Sequence, residues 1–103
     1  MQTCQLLRNM TTLTKELLVQ NRSGIHARVS TMIAQRCREF TSVIRLRKGN
    51  AVADCRSVLD LLSLGAANGT MVYLEVTGED AEEVVNLMTA LFESRFNEDD
   101  ESC

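Results

Sequence analysis

The sequence lacks several features that would assign it to a common functional class. Its 11 basic and 14 acidic residues give a net charge of -3, which argues against nucleic-acid binding through an overall positive field. No apolar run approaches the roughly 18 residues of a membrane span. The opening stretch, "MQTCQLLRNMTTL", lacks the charged start and long apolar segment of a signal peptide. We therefore expect no nucleic-acid partner and no membrane insertion.

The cysteines and the single histidine also lack the pattern of metal ligands. Cys4, Cys37, Cys55 and Cys103 include no CxxC pair and no zinc-ligand spacing, and His26 has no second histidine beside it. We therefore predict neither a metal nor a cofactor. The cysteine pattern favours a reduced, cytoplasmic setting, in which Cys37 and Cys55 serve as small buried hydrophobic residues.

The length of 103 residues corresponds to one domain. We expect residues 13–95 to form this domain, after a flexible N-terminal extension over residues 1–12. Residues 96–103 contain the acidic run "NEDDESC", which predicts a disordered, solvated tail.

Hydrophobic periodicity predicts the element order β-α-β-β-α-β-α. Strands are predicted in "KELLVQ", "TSVIRLRK", "AVADC" and "TMVYLEVTG", and the "GN" between the second and third strands indicates a hairpin turn. This order is typical of an α+β sandwich, in which helices cover one face of an antiparallel sheet.

Three helices are predicted from apolar stripes and capping residues. The stripe of the first helix consists of Val29, Met32, Ile33, Cys37 and Phe40. The second, short helix begins at Ser57, a good N-cap residue, and stops near Gly65. The third begins near Gly78, carries acidic residues in its first turn, and has the stripe Ala81, Val84, Val85, Met88 and Leu91.

His26 lies at the start of the first predicted helix and outside its apolar stripe. Three interpretations are open: a packed or surface residue, a metal ligand, and a nucleophile. Gly24 permits an unusual backbone turn just before it, and Arg28 supplies a cationic fork suited to phosphate oxygens. A helix N-terminus offers free N–H groups and partial positive charge to an anion. These features are consistent with a transient phosphohistidine.

The stretches "GIHAR", "CRSVLDLLSLGAANG" and "VTGEDAEEVV" resemble HPr, the histidine-containing phosphocarrier of the bacterial phosphoenolpyruvate-dependent sugar phosphotransferase system. The resemblance covers about Lys15 to Phe92. It implies an HPr-like open-faced β-sandwich, a four-stranded antiparallel sheet with three helices on one face. The family usually has proline, suited to a first helical turn, where this chain has Val29.

The resemblance also implies a role as a phosphoryl carrier rather than an enzyme with turnover. His26 would accept a phosphoryl group on Nδ1 from phosphorylated Enzyme I, as a pros-phosphohistidine, and pass it to an EIIA domain. Arg28 would stabilise the group, and the amides of Ala27 and Arg28 would bind its oxygens. Ser57 matches the serine that HPr kinase/phosphorylase modifies in some bacteria. The family's partner-docking surface matches Thr31, Gln35, Arg38, Val58, Leu59 and Leu62.

Several alternatives remain open. One is a regulatory HPr paralogue, either in a nitrogen-type phosphotransfer branch or acting through Ser57 on a transcription regulator. Another is a small-molecule-binding α+β domain, although the chain has no glycine-rich nucleotide loop. Ser57 also suits plain helix capping, and the apolar residues of the second helix also suit core packing. We expect the protein to be monomeric.

Overall fold

The computed structural model describes residues 11–97, and within them the predicted order of strands and helices is confirmed. The strands are β1 (Thr11–Leu18), β2 (Val43–Lys48), β3 (Ala51–Asp54) and β4 (Met71–Gly78), and the helices are α1 (Ala27–Cys37), α2 (Val58–Ser63) and α3 (Ala81–Glu93). None of the helices in this part of the chain is long and apolar enough to cross a membrane.

The four strands form one antiparallel sheet in the order β1-β4-β2-β3. The central strand β4 pairs with β1 along its whole length and with β2 on its other side. The predicted hairpin joins β2 to β3 through Gly49 and Asn50, and Gly49 has the positive φ of 59° that such a tight turn requires. The predicted α+β fold, an open-faced sandwich, is therefore confirmed.

The core lies between one face of this sheet and the helices. Along β4, Val72, Leu74 and Val76 are fully buried, whereas Met71 and Tyr73 on the opposite face are exposed. This alternation is the signature of a sheet that is covered on one side only. The helices contribute the other half of the core, which includes Val29, Ile33, Val84, Met88 and Phe92. Val29, where the resemblance to HPr implies a proline, is one of these core residues.

The folded part extends beyond the predicted domain boundaries at both ends. β1 begins at Thr11, because its threonines continue the ladder with β4 as far as Gly78. At the other end, Phe96 is fully buried, and its ring packs edge-on against Phe92 with centroids 5.0 Å apart. Residue 96 therefore belongs to the core rather than to the predicted acidic tail. The other residues of that tail from 98 onward, and residues 1–10, lie outside the described part of the chain.

The predicted helix limits were also imprecise. Phe40 lies beyond the end of α1 and is only half-buried, although it packs against the core. α3 begins at Ala81 rather than near Gly78, because the two preceding residues form a turn. The expected acidic first turn is present, with Glu82 and Glu83 near the positive end of the helix.

Asp80, at the start of α3, joins this helix to the segment that enters β2. Its carboxylate accepts the N–H groups of Thr41 and Ser42 at 2.9 and 3.0 Å, and it also accepts both hydroxyl groups. The hydrogen bond from the Ser42 hydroxyl is the largest cause of a lowered pKa for Asp80, and the two backbone donors add to the effect. The charged carboxylate therefore contributes to folding.

We predict that Asp80→Asn lowers the free energy of unfolding by about 1–2 kcal/mol at pH 7, because charge-assisted hydrogen bonds are lost. The pKa of Asp80 is lower in the folded protein than in the unfolded chain, where it is about 3.9. The extra stability of the parent is therefore present above that pH and is lost as the pH falls through the folded-state pKa. Urea unfolding at pH 7 and near pH 3 measures both effects. The control is Glu79→Gln, an exposed neighbouring carboxylate. An equal loss for Asp80→Asn at both pH values would contradict the prediction.

Candidate functional site

The backbone before α1 is held tightly against the loop that precedes β4. The N–H of Ile25 donates to the carbonyl of Ala66 at 2.9 Å. Gly24 has φ +71°, and a Cβ atom there would lie only 2.8 Å from Cα of Ala67. The side-chain amide of the buried Asn21 donates to the carbonyl of Gly24 at 2.6 Å. The predicted turn at Gly24 is therefore present, and it fixes where α1 begins.

His26 is the N-cap residue of α1 and is half-buried. Its backbone is extended, and its ring Nδ1 accepts the N–H of Arg28 at 3.2 Å. Because Nδ1 accepts this hydrogen bond, its lone pair points at the helix N-terminus, and in the neutral ring the proton resides on Nε2. His26 thus lies outside the buried stripe of α1, with a nucleophilic nitrogen directed at the helix amides.

Arg28 is exposed in the first turn of the same helix, and the contacts of its guanidinium include two weak acceptors. Nη1 donates to the thioether sulfur of Met32 at 3.2 Å, and Nη2 donates to the carbonyl of Phe96 at 3.4 Å. A thioether is a poor acceptor, and a carbonyl at this distance is a long one. A phosphoryl anion would be a much stronger acceptor for the same guanidinium.

These two contacts of Arg28 were missed in the sequence. Met32 lies four residues after Arg28 on the same helical face, so the spacing alone could have indicated it. The carbonyl of Phe96 could not have been found in this way, because it reaches Arg28 from the far end of the chain. Residues 95–97 turn back with left-handed φ values of 53–58°.

The N-terminus of α1 has the electrostatic character of an anion site. Ala27 and Arg28 are its first two helical residues, so their N–H groups have no acceptor one turn earlier within the helix. The first turn contains no acidic residue that would compete with an anion. Among residues 11–97, no group of three His, Cys, Asp or Glu side chains could hold a metal ion.

The predicted docking residues lie on two neighbouring helices. Thr31 and Gln35 are exposed on α1, and Arg38 is exposed at its C-cap. The guanidinium of Arg38 donates to the carbonyl of Arg56 at 3.2 Å, just before α2. On α2, Leu59 is 76% exposed. Part of this short helix is therefore exposed to solvent. A different leucine of α2 packs into the core.

The leucine that anchors α2 is Leu61, which is fully buried. It was not singled out in the sequence, although its place in an apolar run is compatible with core packing. Leu62 is 38% exposed and Val58 is half-buried. α2 thus packs against α1 and β3 and presents Leu59 and Leu62 outward.

Ser57 caps α2, as its residue type predicted. Its hydroxyl accepts the N–H of Asp60 at 3.2 Å, and its own N–H donates to the carbonyl of Asp54 at 2.9 Å. The carboxylate of Asp60 in turn accepts the N–H of Asp54 at 3.1 Å. This reciprocal network fixes the start of the short helix.

The two predicted buried cysteines, Cys37 and Cys55, are indeed fully buried.

Comparison with known proteins agrees with this arrangement. Residues 13–94 match the family model "PTS HPr component phosphorylation site". Phosphocarrier protein HPr of Xylella fastidiosa is 33% identical, over 82% of this chain and 94% of its own length. Phosphocarrier protein NPr of Shewanella violacea is 34% identical, over 86% of this chain and 98% of its own length. An HPr crystal structure from Thermoanaerobacter tengcongensis superposes with a TM-score of 0.76 at 33% identity, covering 85% and 97% of the two chains.

These matches place the molecule in the class of phosphocarrier proteins of the phosphotransferase system. The chain belongs to the HPr family of that system.

Proposed function

We propose that the protein accepts a phosphoryl group on Nδ1 of His26 from phosphorylated Enzyme I and passes it to an EIIA domain. The observation that carries this proposal is the hydrogen bond from the N–H of Arg28 to Nδ1 at the N-terminus of α1. It directs the nucleophilic lone pair to the place where helix amides and a guanidinium would receive an anion. The protein is then a carrier, because it is itself phosphorylated and dephosphorylated.

The transfer needs no group of this chain beyond the side chains and backbone amides already described. The lone pair of Nδ1 forms a new bond to phosphorus, while the bond from phosphorus to the donor breaks and the donor retains that electron pair. The N–H of Arg28, which now donates to Nδ1, becomes available to a phosphoryl oxygen once Nδ1 is bonded. The amide of Ala27 and the guanidinium of Arg28 neutralise further charge. Catalysis of this kind depends on position and electrostatics.

The site suits a group that must also leave. His26 is only half-buried, so a partner's active site can reach it. The guanidinium of Arg28 donates to the weak acceptors of Met32 and Phe96, and phosphoryl oxygens would replace these two contacts until the group departs. A deep pocket with several fixed cations would hold the phosphoryl group too firmly, because tight ground-state binding adds to the barrier for the next transfer.

The similar proteins support two versions of the role. Relatives with nearly the same sequence identity to this chain are named HPr and NPr. We propose the sugar-uptake carrier as the principal function, since this is the system that the resemblance first indicated. The second candidate is a nitrogen-type regulatory branch, in which the chemistry at His26 is the same. The two differ in the Enzyme I and EIIA partners, all of which would be cytoplasmic.

The surface beside His26 supports the proposed docking. The exposed polar residues Thr31, Gln35 and Arg38 follow one side of α1, and Leu59 and Leu62 extend this surface onto α2. Such a surface joins apolar contact area to a cationic group, which a partner with carboxylates around its own active site would complement. We propose that Enzyme I and EIIA bind there to a monomer.

We predict that His26→Ala abolishes phosphate uptake without unfolding the domain, because the side chain lies at the surface end of α1. The variant and parent are incubated with labelled phosphoenolpyruvate and Enzyme I, once of the sugar branch and once of the nitrogen branch. The parent should acquire acid-labile, alkali-stable phosphate faster with the Enzyme I of the sugar branch. Circular dichroism checks the fold of the variant. Normal labelling of His26→Ala would contradict the phosphohistidine.

Arg28→Ala should slow phosphoryl transfer roughly 10- to 100-fold, the equivalent of one charge-assisted hydrogen bond. Arg28→Lys should recover only part of the rate, because a point charge does not reproduce a planar fork. Single-turnover transfer from phosphorylated Enzyme I measures both rates. The matched control is Arg45→Ala, an exposed arginine on β2, which should transfer normally. Equal rates for the Lys variant and the parent would show that fork geometry has no role.

Ser57 is proposed as a regulatory site in addition to its role as a helix cap. Ser57→Ala should lose about 1 kcal/mol of stability through the missing cap but transfer phosphate normally. Ser57→Asp should keep the cap yet slow transfer from Enzyme I at low salt, where repulsion between the partners is least screened. Ser63→Ala, at the other end of α2, serves as the control for both measurements. Identical low-salt rates for Ser57→Asp and the parent would leave Ser57 as a cap alone.

A further inference from the structure

The side chain of Met32 connects the hydrophobic core with the guanidinium of Arg28. Met32 is half-buried in α1 and packs against the core. Its thioether sulfur accepts Nη1 of Arg28, one helical turn earlier, at 3.2 Å, and this contact is exposed. The contact therefore lies at the surface, beside the first turn of α1.

A thioether is a weak hydrogen-bond acceptor, and its oxidation product is a strong one. The sulfoxide has a polarised S–O bond, and its oxygen bears partial negative charge. A guanidinium donates more strongly to such an oxygen than to a thioether sulfur. Oxidation of Met32 would thus strengthen the acceptor beside Arg28 without changing the net charge of the protein.

The position of Met32 distinguishes it from the other two methionines within residues 11–97. Met88 is fully buried in the core, and Met71 is exposed on the sheet face that the helices leave uncovered. Met32 combines partial exposure with a hydrogen bond from the guanidinium of Arg28. It is therefore the methionine of these three at which oxidation would act on Arg28.

We propose that Met32 is an oxidation site at which a hydroperoxide strengthens the hold on Arg28 and thereby slows phosphoryl transfer. A lone pair of the thioether sulfur attacks the outer oxygen of the hydroperoxide, so that an S–O bond forms and the O–O bond breaks. The leaving oxygen keeps the bonding pair and takes the hydroxyl proton, and an alcohol or water departs. The sulfur is oxidised by two electrons, and the peroxide is reduced. Rotation about the flexible methionine side chain then brings the new oxygen to the guanidinium.

The inference rests on the proposed phosphocarrier function, in which phosphoryl oxygens replace the contacts of Arg28 with Met32 and Phe96. A stronger acceptor on residue 32 stabilises the state before transfer. The phosphorylated state does not gain from it, because Arg28 has then turned to the phosphoryl group. Transfer to His26 should therefore slow roughly 5-fold, the factor that corresponds to one additional net hydrogen bond of about 1 kcal/mol.

The first test compares the parent with Met32→Leu and with the matched control Met71→Leu. Each folded protein is treated with hydrogen peroxide and then with dithiothreitol, which reverses sulfenic acids and disulfides but leaves sulfoxides. Peptide mass spectrometry should show one added oxygen on Met32. Single-turnover transfer from phosphorylated Enzyme I should slow in the parent and in Met71→Leu, but not in Met32→Leu, and methionine sulfoxide reductases should restore it. An unoxidised Met32, unchanged transfer in the oxidised parent, or equal slowing in Met32→Leu would overturn the proposal.

The second test asks whether the effect acts through Arg28. In Arg28→Ala, peroxide treatment should leave the already slow transfer unchanged, because no guanidinium remains for the sulfoxide to hold. Further slowing of this variant on oxidation of Met32 would show that the sulfoxide disturbs the docking of Enzyme I instead, and would refute the proposal.

A readout without phosphate separates this inference from the proposed function. If the untreated parent acquires no phosphate from Enzyme I, the phosphocarrier proposal fails, and the contact itself is measured by isotope-edited NMR of the Arg28 side chain. Its signals are assigned by their absence in Arg28→Ala. Oxidation of Met32 should slow the exchange of the guanidinium protons with water, and reduction of the sulfoxide should reverse this. Unchanged exchange would contradict the stronger hold on Arg28.

Discussion

The close approach of the backbone at Gly24 and Ile25 to the loop at residues 66–67 is the constraint on which the site depends. One hydrogen bond to Ala66 and the lack of a side chain at Gly24 bring two distant loops into contact. This contact fixes the position and direction of the first turn of α1. The ring of His26, the helix amides and Arg28 all take their places from that turn, so their geometry is set by backbone packing rather than by contacts among themselves.

The fold supplies a rigid base and leaves the chemistry at the surface. The covered face of the sheet and the helices form one continuous core, in which Val29 and Ile33 hold α1 in place. A proline at the position of Val29 would stiffen the first turn through its fixed φ. Here a buried aliphatic side chain anchors the same turn. A carrier with the two partners proposed above would benefit from this design, because docking would then require little rearrangement of the scaffold.

The sequence by itself determined most of the fold and the centre of the candidate site. Alternating burial along β4, the helical stripe around Ile33 and the caps of the helices are set by residues close together in the chain. The same is true of His26, Arg28 and the positive φ of Gly24, since two- to four-residue spacings are fixed once a turn or helix forms. Local patterns of this kind are visible without knowledge of the tertiary structure.

Only the tertiary structure decided the contacts between segments that are far apart in sequence. The core position of Phe96 and the reach of its carbonyl to Arg28 depend on how the chain turns back after α3. The carboxylate of Asp80 looks like an ordinary acidic first-turn residue in the sequence, yet it binds the segment before β2. The periodicity of the sequence does not predict such contacts, because they result from the packing of whole helices and strands.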